Sequence, residues 1–197
     1  MTGQVIAPIA LDRDIIIDTA LRLVKRDGLD RLTTRSLAGE LGVKGPALYW
    51  HFSGKQALLT AMAGRIMQTA LDNCSSAGGW REQLAALALM VREVILQQRD
   101  GAKILSTVTP DPITQIGILE RLCRPLCDAG AQKAEALRAV AGLSGFVLGC
   151  VIYEQMDAIE PAGWEFSHEE AFTLGLEAHL AGISMTLFAA DASSSRC

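Results

Sequence analysis

The sequence predicts an all-α protein, with a small three-helix domain over residues 1–56 and a larger helical domain over residues 57–197. Apolar residues recur every three or four positions through most of the chain, which is the spacing of helices with one buried face. The segment SSAGG at 75–79 is the clearest break, and the apolar pattern after it is helical only. Half of the residues are hydrophobic and a fifth are charged, as expected for a globular protein.

Three short helical segments open the chain. The first spans residues 12–27 and is closed by a glycine. The second begins after Thr33, whose side-chain type caps helices, and ends at Gly42, where a left-handed glycine turns the chain sharply. Pro46 is tolerated in a first helical turn and opens the third helix. Two short helices joined by a glycine-centred turn are the pattern of a helix-turn-helix motif.

The outer surface of this motif is predicted to be aromatic and basic. Leu48 is the natural core residue of the third helix, so Tyr49, Trp50 and His51 cannot all be buried behind it. Between residues 31 and 55 four bases accompany one acid, whereas the whole chain has a formal net charge of −4. A basic patch on an acidic protein indicates a polyanion partner for that segment. We interpret the motif as DNA-binding; a helical hairpin within an all-α core is the alternative.

Composition argues against several other classes. The five cysteines and three histidines lack the spacing of a metal site or of a disulfide framework. No nucleotide-binding glycine loop and no catalytic constellation is present. The uncharged stretch at 139–153 is too short to cross about 30 Å of hydrocarbon. We therefore expect a cytoplasmic protein that is not an enzyme, with no metal, no cofactor and no membrane association.

Two helices of the larger domain carry small residues at helical spacing. The first is predicted over residues 132–157, and its interior glycines each cost about 1 kcal/mol relative to alanine. The second, from residue 169 to about 190, has small residues beside an apolar stripe. Small side chains let helices approach closely, so two such helices from each of two chains would form the four-helix interface of a homodimer. Packing within one chain is the alternative. The predicted interface residues are Gly142, Gly145, Gly149, Leu176, Leu180 and Ile183.

The run TTRSLAGELGVKGPALYWHFSGK at 33–55 resembles the DNA-binding domain of the tetracycline-repressor (TetR) family. Further along, GWREQL, QRDGAK and GFVLGCVIYEQ resemble the core of the tetracycline repressors proper, so the resemblance covers most of residues 12–190. It implies a homodimeric repressor that binds a palindromic double-stranded DNA operator and is released from it by a small molecule.

The resemblance also implies roles for individual residues of the motif. Arg35 would read a base edge with its guanidinium fork, and the threonines, aromatic residues and Lys55 would hold phosphates. Tetracycline repressors have polar side chains where this chain has Gly45 and Ala47, so we expect a different operator. The DNA-binding residues predicted in this way are Thr33, Thr34, Arg35, Lys44, Gly45, Pro46, Ala47, Tyr49, Trp50, His51 and Lys55.

The larger domain is expected, on the same resemblance, to hold a ligand cavity of altered chemistry. Most positions that bind the magnesium-tetracycline chelate in tetracycline repressors are apolar here. We therefore expect a pocket for a large hydrophobic or aromatic effector, with Tyr153 and Thr109 as its hydrogen-bonding groups. The predicted pocket residues are Leu71, Leu87, Val91, Leu105, Val108, Thr109, Pro110, Leu122 and Tyr153.

Other functions stay open at this point. A DNA-binding regulator without a small-molecule effector would use the same apolar residues simply to fill a core, and a regulator that senses another protein would do likewise. A helical protein that binds a small molecule without DNA is a further alternative, and an enzyme of that type would need acid, base or nucleophile groups in the pocket.

Overall fold

The computed structural model describes residues 11–108, 112–156 and 166–188. Within these ranges the chain forms nine α-helices and one short 3-10 helix, which confirms the predicted all-α class. The helices are α1 (Arg13–Asp27), α2 (Thr34–Leu41), α3 (Pro46–Tyr49), α4 (Lys55–Asp72), α5 (Trp80–Gln97), α6 (Gly101–Thr107), α7 (Pro112–Asp128), α8 (Lys133–Gln155) and α9 (His168–Leu187), with the 3-10 turn Leu29–Arg31 after α1.

Local capping and turn chemistry define the helices of the N-terminal head, residues 11–54. Asp12 caps α1 through its side chain. Thr33 and Ser36 form a capping box at the start of α2, because each side chain accepts a hydrogen bond from the backbone N–H of the other at 3.0 Å. Gly42 has a left-handed backbone with φ of 67°, and the N–H of Val43 then donates back to α2 at 3.0 Å. The predicted helix-turn-helix connection is therefore formed.

The helix α4 belongs to both parts of the molecule. It packs against α1 in the head and against α5, α6 and α7 in the larger domain. Its buried side chains run from Leu58 to Leu71, and the hydrophobic core is continuous from α1 to α9. A domain boundary between residues 56 and 57 would fall in the first turn of α4, so the division into two domains stays a prediction.

The helix α5 is central to the larger domain, since it contacts α4, α6, α7, α8 and α9. An ion pair ties three of these helices together: Arg92 on α5 pairs with Glu154 on α8 at 2.7 Å, and its guanidinium lies 5.0 Å from the ring centroid of Phe172 on α9. Both charged side chains are largely buried, so their mutual hydrogen bonds compensate for lost hydration.

The uncharged stretch at 139–153 lies within the longer helix α8, which has a mean hydropathy of 1.7 and, unlike that stretch alone, would suffice by length and composition to cross a membrane. Within the described part of the chain no other helix meets that criterion. Only 28% of the apolar window is buried inside the chain. A core-facing stripe on α8 packs against α5 and α7, and the rest of the described chain leaves a second side of α8 uncovered.

A second contact joins the head to the larger domain beside α4. Asp100, which precedes α6, adopts a left-handed backbone with φ of 57°, and its carboxylate accepts a hydrogen bond from the N–H of Leu29 at 2.7 Å. Lys103 on α6 pairs with Asp30 at 2.9 Å. The start of α6 is thus attached to the turn that follows α1.

Candidate functional site

The head presents a shallow groove between α2 and α3. Five predicted DNA-binding residues line it, and they come from both helices: Thr34, Arg35, Gly45, Pro46 and Tyr49. Beside the groove, the side chains of Tyr49 and Trp50 are 60% and 90% exposed, which is unusual for large aromatic residues without a partner. The short helix α3 and the residue that follows it therefore direct their aromatic side chains outward.

The bases around this groove are free to bind an anion. Arg35, Lys44 and Lys55 are exposed, and none of them forms an ion pair with any residue of the described ranges. The neighbouring acid, Glu40, is already paired with Arg26 at 3.2 Å. Within the described residues no ion pair neutralises these three bases, which favours a phosphate backbone as their partner.

Arg13 on α1 contacts the residues that follow α3. The sequence analysis did not assign this residue to the site. The guanidinium of Arg13 donates a hydrogen bond to the carbonyl of His51 and lies 4.3 Å from the ring centroid of Phe52. Leu48 and Phe52 are buried beneath it. A cation in the first turn of α1 opposes the helix dipole, and that conflict was the available sequence signal.

Three predicted DNA-binding residues have a different setting. The hydroxyl of Thr33 is engaged inside the capping box, where it accepts from the N–H of Ser36 and donates to its Oγ at 3.1 Å. We therefore leave Thr33 out of the proposed phosphate contacts. Gly45 and Ala47 are half-buried, and a Cβ at Gly45 would meet nothing within 4 Å. Bare backbone at this position allows DNA to approach closely.

An apolar cavity of about 150 Å³ lies in the larger domain, enclosed by α4, α5, α6, α7 and α8. Four predicted pocket residues line it: Leu87, Val91, Leu105 and Leu122. The remaining lining residues lie mostly on α5 and α8, and the i, i+3, i+4 spacing of apolar residues in these helices is the sequence signal that could have identified them. The lining residues that the sequence analysis did not assign are Met67, Leu84, Ala88, Ile95, Val140, Leu143, Ser144, Val147 and Leu148.

The predicted hydrogen-bonding groups of the pocket are not in this lining. Tyr153 is 54% exposed and lies on the outer surface of α8, so its assignment to the pocket is wrong. Leu71 is buried in the core outside the lining, and Val108 is half-buried at the end of α6. Thr109 and Pro110 lie outside the described residues. The polar side chain that does line the cavity is Ser144.

The glycines of α8 lie on an open surface. Gly142 and Gly145 are exposed and Gly149 is half-buried, and a Cβ at any of the three would meet nothing within 4 Å. Gly142 borders a groove between α8 and α9 that Ala178 and Gly182 also line. This arrangement leaves room for a helix of a second chain.

The apolar stripe of α9 does not lie on that surface. Leu176, Leu180 and Ile183 are buried within their own chain, so their prediction as interface residues is wrong. The stripe is used to pack α9 onto α8 and α5. The helix α9 exposes charged and polar residues such as Glu177 and Thr186, together with small or apolar ones such as Leu174, Ala178, Ala181, Gly182 and Met185.

Both parts of the chain match models of known families. Residues 16–62 match the model for bacterial regulatory proteins of the tetR family, and residues 75–172 match the tetracyclin repressor-like C-terminal domain. The chain belongs to the TetR family. The resemblance seen in the sequence is confirmed, and the two matched stretches correspond to the head with the start of α4 and to the larger domain.

Individual relatives support this TetR assignment over most of the chain. The tetracycline repressor protein class E of Escherichia coli is 35% identical over 198 residues, covering 90% of this chain and 92% of that protein. The structure of a TetR variant from Acinetobacter baumannii AYE in complex with minocycline has a TM-score of 0.75 and 37% identity, covering 88% of this chain and 97% of the other. BioQ with its double-stranded DNA operator has a TM-score of 0.70 and 29% identity, covering 88% and 98%.

Proposed function

We propose that this TetR-family chain is a transcriptional repressor that binds a palindromic DNA operator as a homodimer and is released by an apolar small molecule. One observation carries the proposal: α4 starts at Lys55, beside the DNA-facing groove, and reaches Met67, which lines the apolar cavity. A single rigid helix therefore joins the surface suited to DNA and the space suited to a ligand.

The head supplies what operator binding requires. Its unpaired bases and exposed aromatic side chains can bind phosphates. Arg35, at the start of α2, can form hydrogen bonds to the edge of a guanine base. A helix-turn-helix dimer places two recognition helices about 34 Å apart and so binds a palindrome. The structure of BioQ with its own operator shows a related chain of the same fold bound to DNA.

The homodimer is supported by the uncovered sides of α8 and α9. Leu174 and Met185 on α9 are each 75% exposed, and Gly142 of α8 borders the groove that Gly182 of α9 also lines. Exposed apolar side chains next to small residues favour close helix–helix contact, because burial removes apolar surface from water. A two-fold arrangement of these two helices gives a four-helix interface.

The cavity favours an apolar effector over a metal chelate. Positions Leu87, Leu105 and Leu122 offer no ligand to magnesium, which prefers oxygen donors. A tetracycline would leave several polar groups unpaired there, at a cost of several kcal/mol. A cavity of about 150 Å³ lined by aliphatic side chains holds a group the size of a benzene ring, so a large compound would have to displace the walls.

Ligand binding is coupled to DNA binding through two contacts. Met67 on α4 and Leu105 on α6 both line the cavity, and the start of α6 is bonded to the head at Leu29. An effector shifts the equilibrium between DNA-competent and incompetent head positions only by its difference in affinity for the two. This difference in ligand affinity arises when Met67 and Leu105, which form two walls of the cavity, move between the two head positions.

The same chain is proposed to be a cytoplasmic protein without enzymatic activity. Burial raises the pKa of the Cys123 and Cys150 thiols, which keeps them protonated at neutral pH and poor nucleophiles. Among the residues that the structure describes, the cavity lining includes no acid or base. We place the protein in the cytoplasm because a transcriptional regulator must be in the same compartment as the DNA that it binds.

Operator release tests this proposal. Fluorescence anisotropy of the gene's own labelled upstream DNA would be titrated with neutral monoaromatic compounds and with tetracycline plus magnesium, each with and without EDTA. We expect tight, salt-sensitive binding and release by an apolar compound irrespective of EDTA. Release by the tetracycline chelate that EDTA abolishes would contradict the assignment of the pocket, and absence of specific DNA binding would contradict the repressor itself.

A further inference from the structure

We infer that the cavity takes a neutral amphiphile, with a ring-sized apolar body inside and one hydrogen-bonding group at the mouth, held by the hydroxyl of Ser144. This inference rests on the proposed function, because it names the chemical class of the effector of that same cavity. It depends on where the polar and apolar parts of the lining lie.

The lining separates into an apolar interior and a polar entrance. Leu84, Ile95, Val140 and Val147 are almost completely buried and form the deep walls. Ser144 is the one exposed member of the described lining, so the cavity opens beside it. A ligand that fills the interior has apolar contacts on all sides and meets its first polar side chain at the opening.

The hydroxyl of Ser144 is available to a ligand. Hydroxyls inside helices commonly donate to the carbonyl four residues earlier, and in this chain Thr69 does so at 2.9 Å and Thr173 at 2.8 Å. Ser144 makes no such bond, nor any other hydrogen bond from its side chain to the described residues. Its hydroxyl can therefore donate to or accept from a bound molecule without losing a bond in the protein.

The ligand is expected to be neutral, because no charged side chain of the described residues lines the cavity. A carboxylate or ammonium group would lose hydration at the mouth and gain only one hydrogen bond to a hydroxyl. The volume of about 150 Å³ limits the buried body to about one aromatic ring or a short alkyl chain. A phenol with a small alkyl group at the far side of the ring has this shape and chemistry.

The mouth remains accessible in the proposed homodimer. Ser144 and Gly142 are two residues apart in α8, which places them about 200° apart around the helix axis. The glycine side of α8 faces the groove with α9, whereas the Ser144 side faces the cavity under α5 and α7. Ligand entry at Ser144 and the dimer contact at Gly142 thus use different sides of one helix.

Direct binding to the full-length protein tests the inference. Isothermal titration calorimetry would compare 4-ethylphenol, ethylbenzene and 4-ethylbenzoate on the parent protein and on Ser144→Ala. We expect 4-ethylphenol to bind the parent most tightly and to bind Ser144→Ala about 3–10-fold more weakly, because one hydrogen bond is lost. Ethylbenzene should bind both proteins alike, and 4-ethylbenzoate should bind most weakly.

The control variant is Ser184→Ala, which removes a helical hydroxyl outside the cavity and should leave all three affinities unchanged. The inference is overturned if 4-ethylphenol binds Ser144→Ala as tightly as the parent, if 4-ethylbenzoate binds more tightly than the phenol, or if none of the three binds. Operator binding is measured separately. Ser144-dependent binding of the phenol without operator release would contradict the proposed function alone.

Discussion

The carboxylate of Asp100 accepts a hydrogen bond from the backbone N–H of Leu29 at 2.7 Å and so joins the start of α6 to the turn that follows α1. A bond between an ionised carboxylate and an N–H is stronger than one between neutral groups. The neighbouring pair of Lys103 and Asp30 lowers the pKa of the Asp30 carboxyl through its hydrogen bond, so that contact is charged at neutral pH. Because α6 also lines the cavity, this junction lies between the ligand and the DNA.

Replacing Asp100 with alanine should destabilise the protein by about 1–3 kcal/mol, since the N–H of Leu29 loses its partner in a partly buried site. Alanine also tolerates the left-handed backbone poorly. Asp100→Asn is the matched control, because asparagine accepts both the conformation and the hydrogen bond. Urea unfolding measures the difference in free energy of unfolding. Equal stability of Asp100→Ala and the parent would show that Asp100 does not stabilise the junction.

Arg35→Ala should cost about 1–3 kcal/mol in operator affinity and relax the preference at one base pair of each half-site. Arg35→Lys keeps the positive charge but loses the planar fork, so it should retain non-specific binding and lose that base preference. Binding to a set of operators with single base-pair changes is the measurement. Undiminished discrimination in Arg35→Ala would assign the base contact to another residue.

Lys55→Ala should weaken binding to all duplexes alike. It removes one phosphate contact, so the slope of log affinity against log salt should fall in magnitude by about 0.9 for each head. Lys133→Ala is the control, since Lys133 is also exposed but lies at the start of α8, far along the chain from the groove. An unchanged slope for Lys55→Ala would show that Lys55 does not contact phosphate.

Gly149→Leu should give a monomer in sedimentation velocity, with loss of palindromic operator binding. The added side chain meets nothing within 4 Å of its Cβ inside its own chain, so the fold of the single chain should persist. Gly117→Leu is the matched control, because Gly117 is also helical and open but lies on α7. A stable dimer of Gly149→Leu would show that the interface lies elsewhere on the surface.

Val91→Trp should fill much of the cavity and abolish the response to effector, with operator affinity close to that of the parent. Leu89→Trp on the exposed side of the same helix should leave both properties unchanged. Operator release titrated with 4-ethylphenol, together with thermal unfolding to confirm the fold, checks both variants. Normal release from Val91→Trp would place the effector outside this cavity.

The head could be predicted from sequence because its geometry depends on local chemistry. Gly42 needs a left-handed backbone, Pro46 suits a first helical turn, and Thr33 is a cap type; each acts within a few residues. The free charge of Arg35 and Lys55 was also foreseeable, because few acids lie nearby in the sequence. Arg13 was missed because its partners at 51 and 52 are distant in the chain.

Which residues of the larger domain line the cavity or the surface depends on tertiary packing, and the sequence does not specify that packing. A stripe such as Leu176 and Leu180 has the same spacing whether it faces its own chain or a partner, and here it faces its own. Tyr153 was placed by analogy with a polar position, but the turn of α8 directs it outward. Ser144 gave no signal at all, since a serine in an apolar helix acquires meaning only when a cavity opens beside it.

The shared helix α4 also sets how far the DNA-binding heads move. Lys55 and Met67 are 12 residues apart, which is about 18 Å along the axis. A tilt of about 5° around the cavity end would displace the Lys55 end by about 1.6 Å over that length. Two heads related by a two-fold axis move in opposite senses, so their separation would change by up to about 3 Å against the 34 Å repeat of the operator. Hydrogen bonds to phosphate tolerate only a few tenths of an ångström, so a change of this size in head separation would put both half-sites out of register.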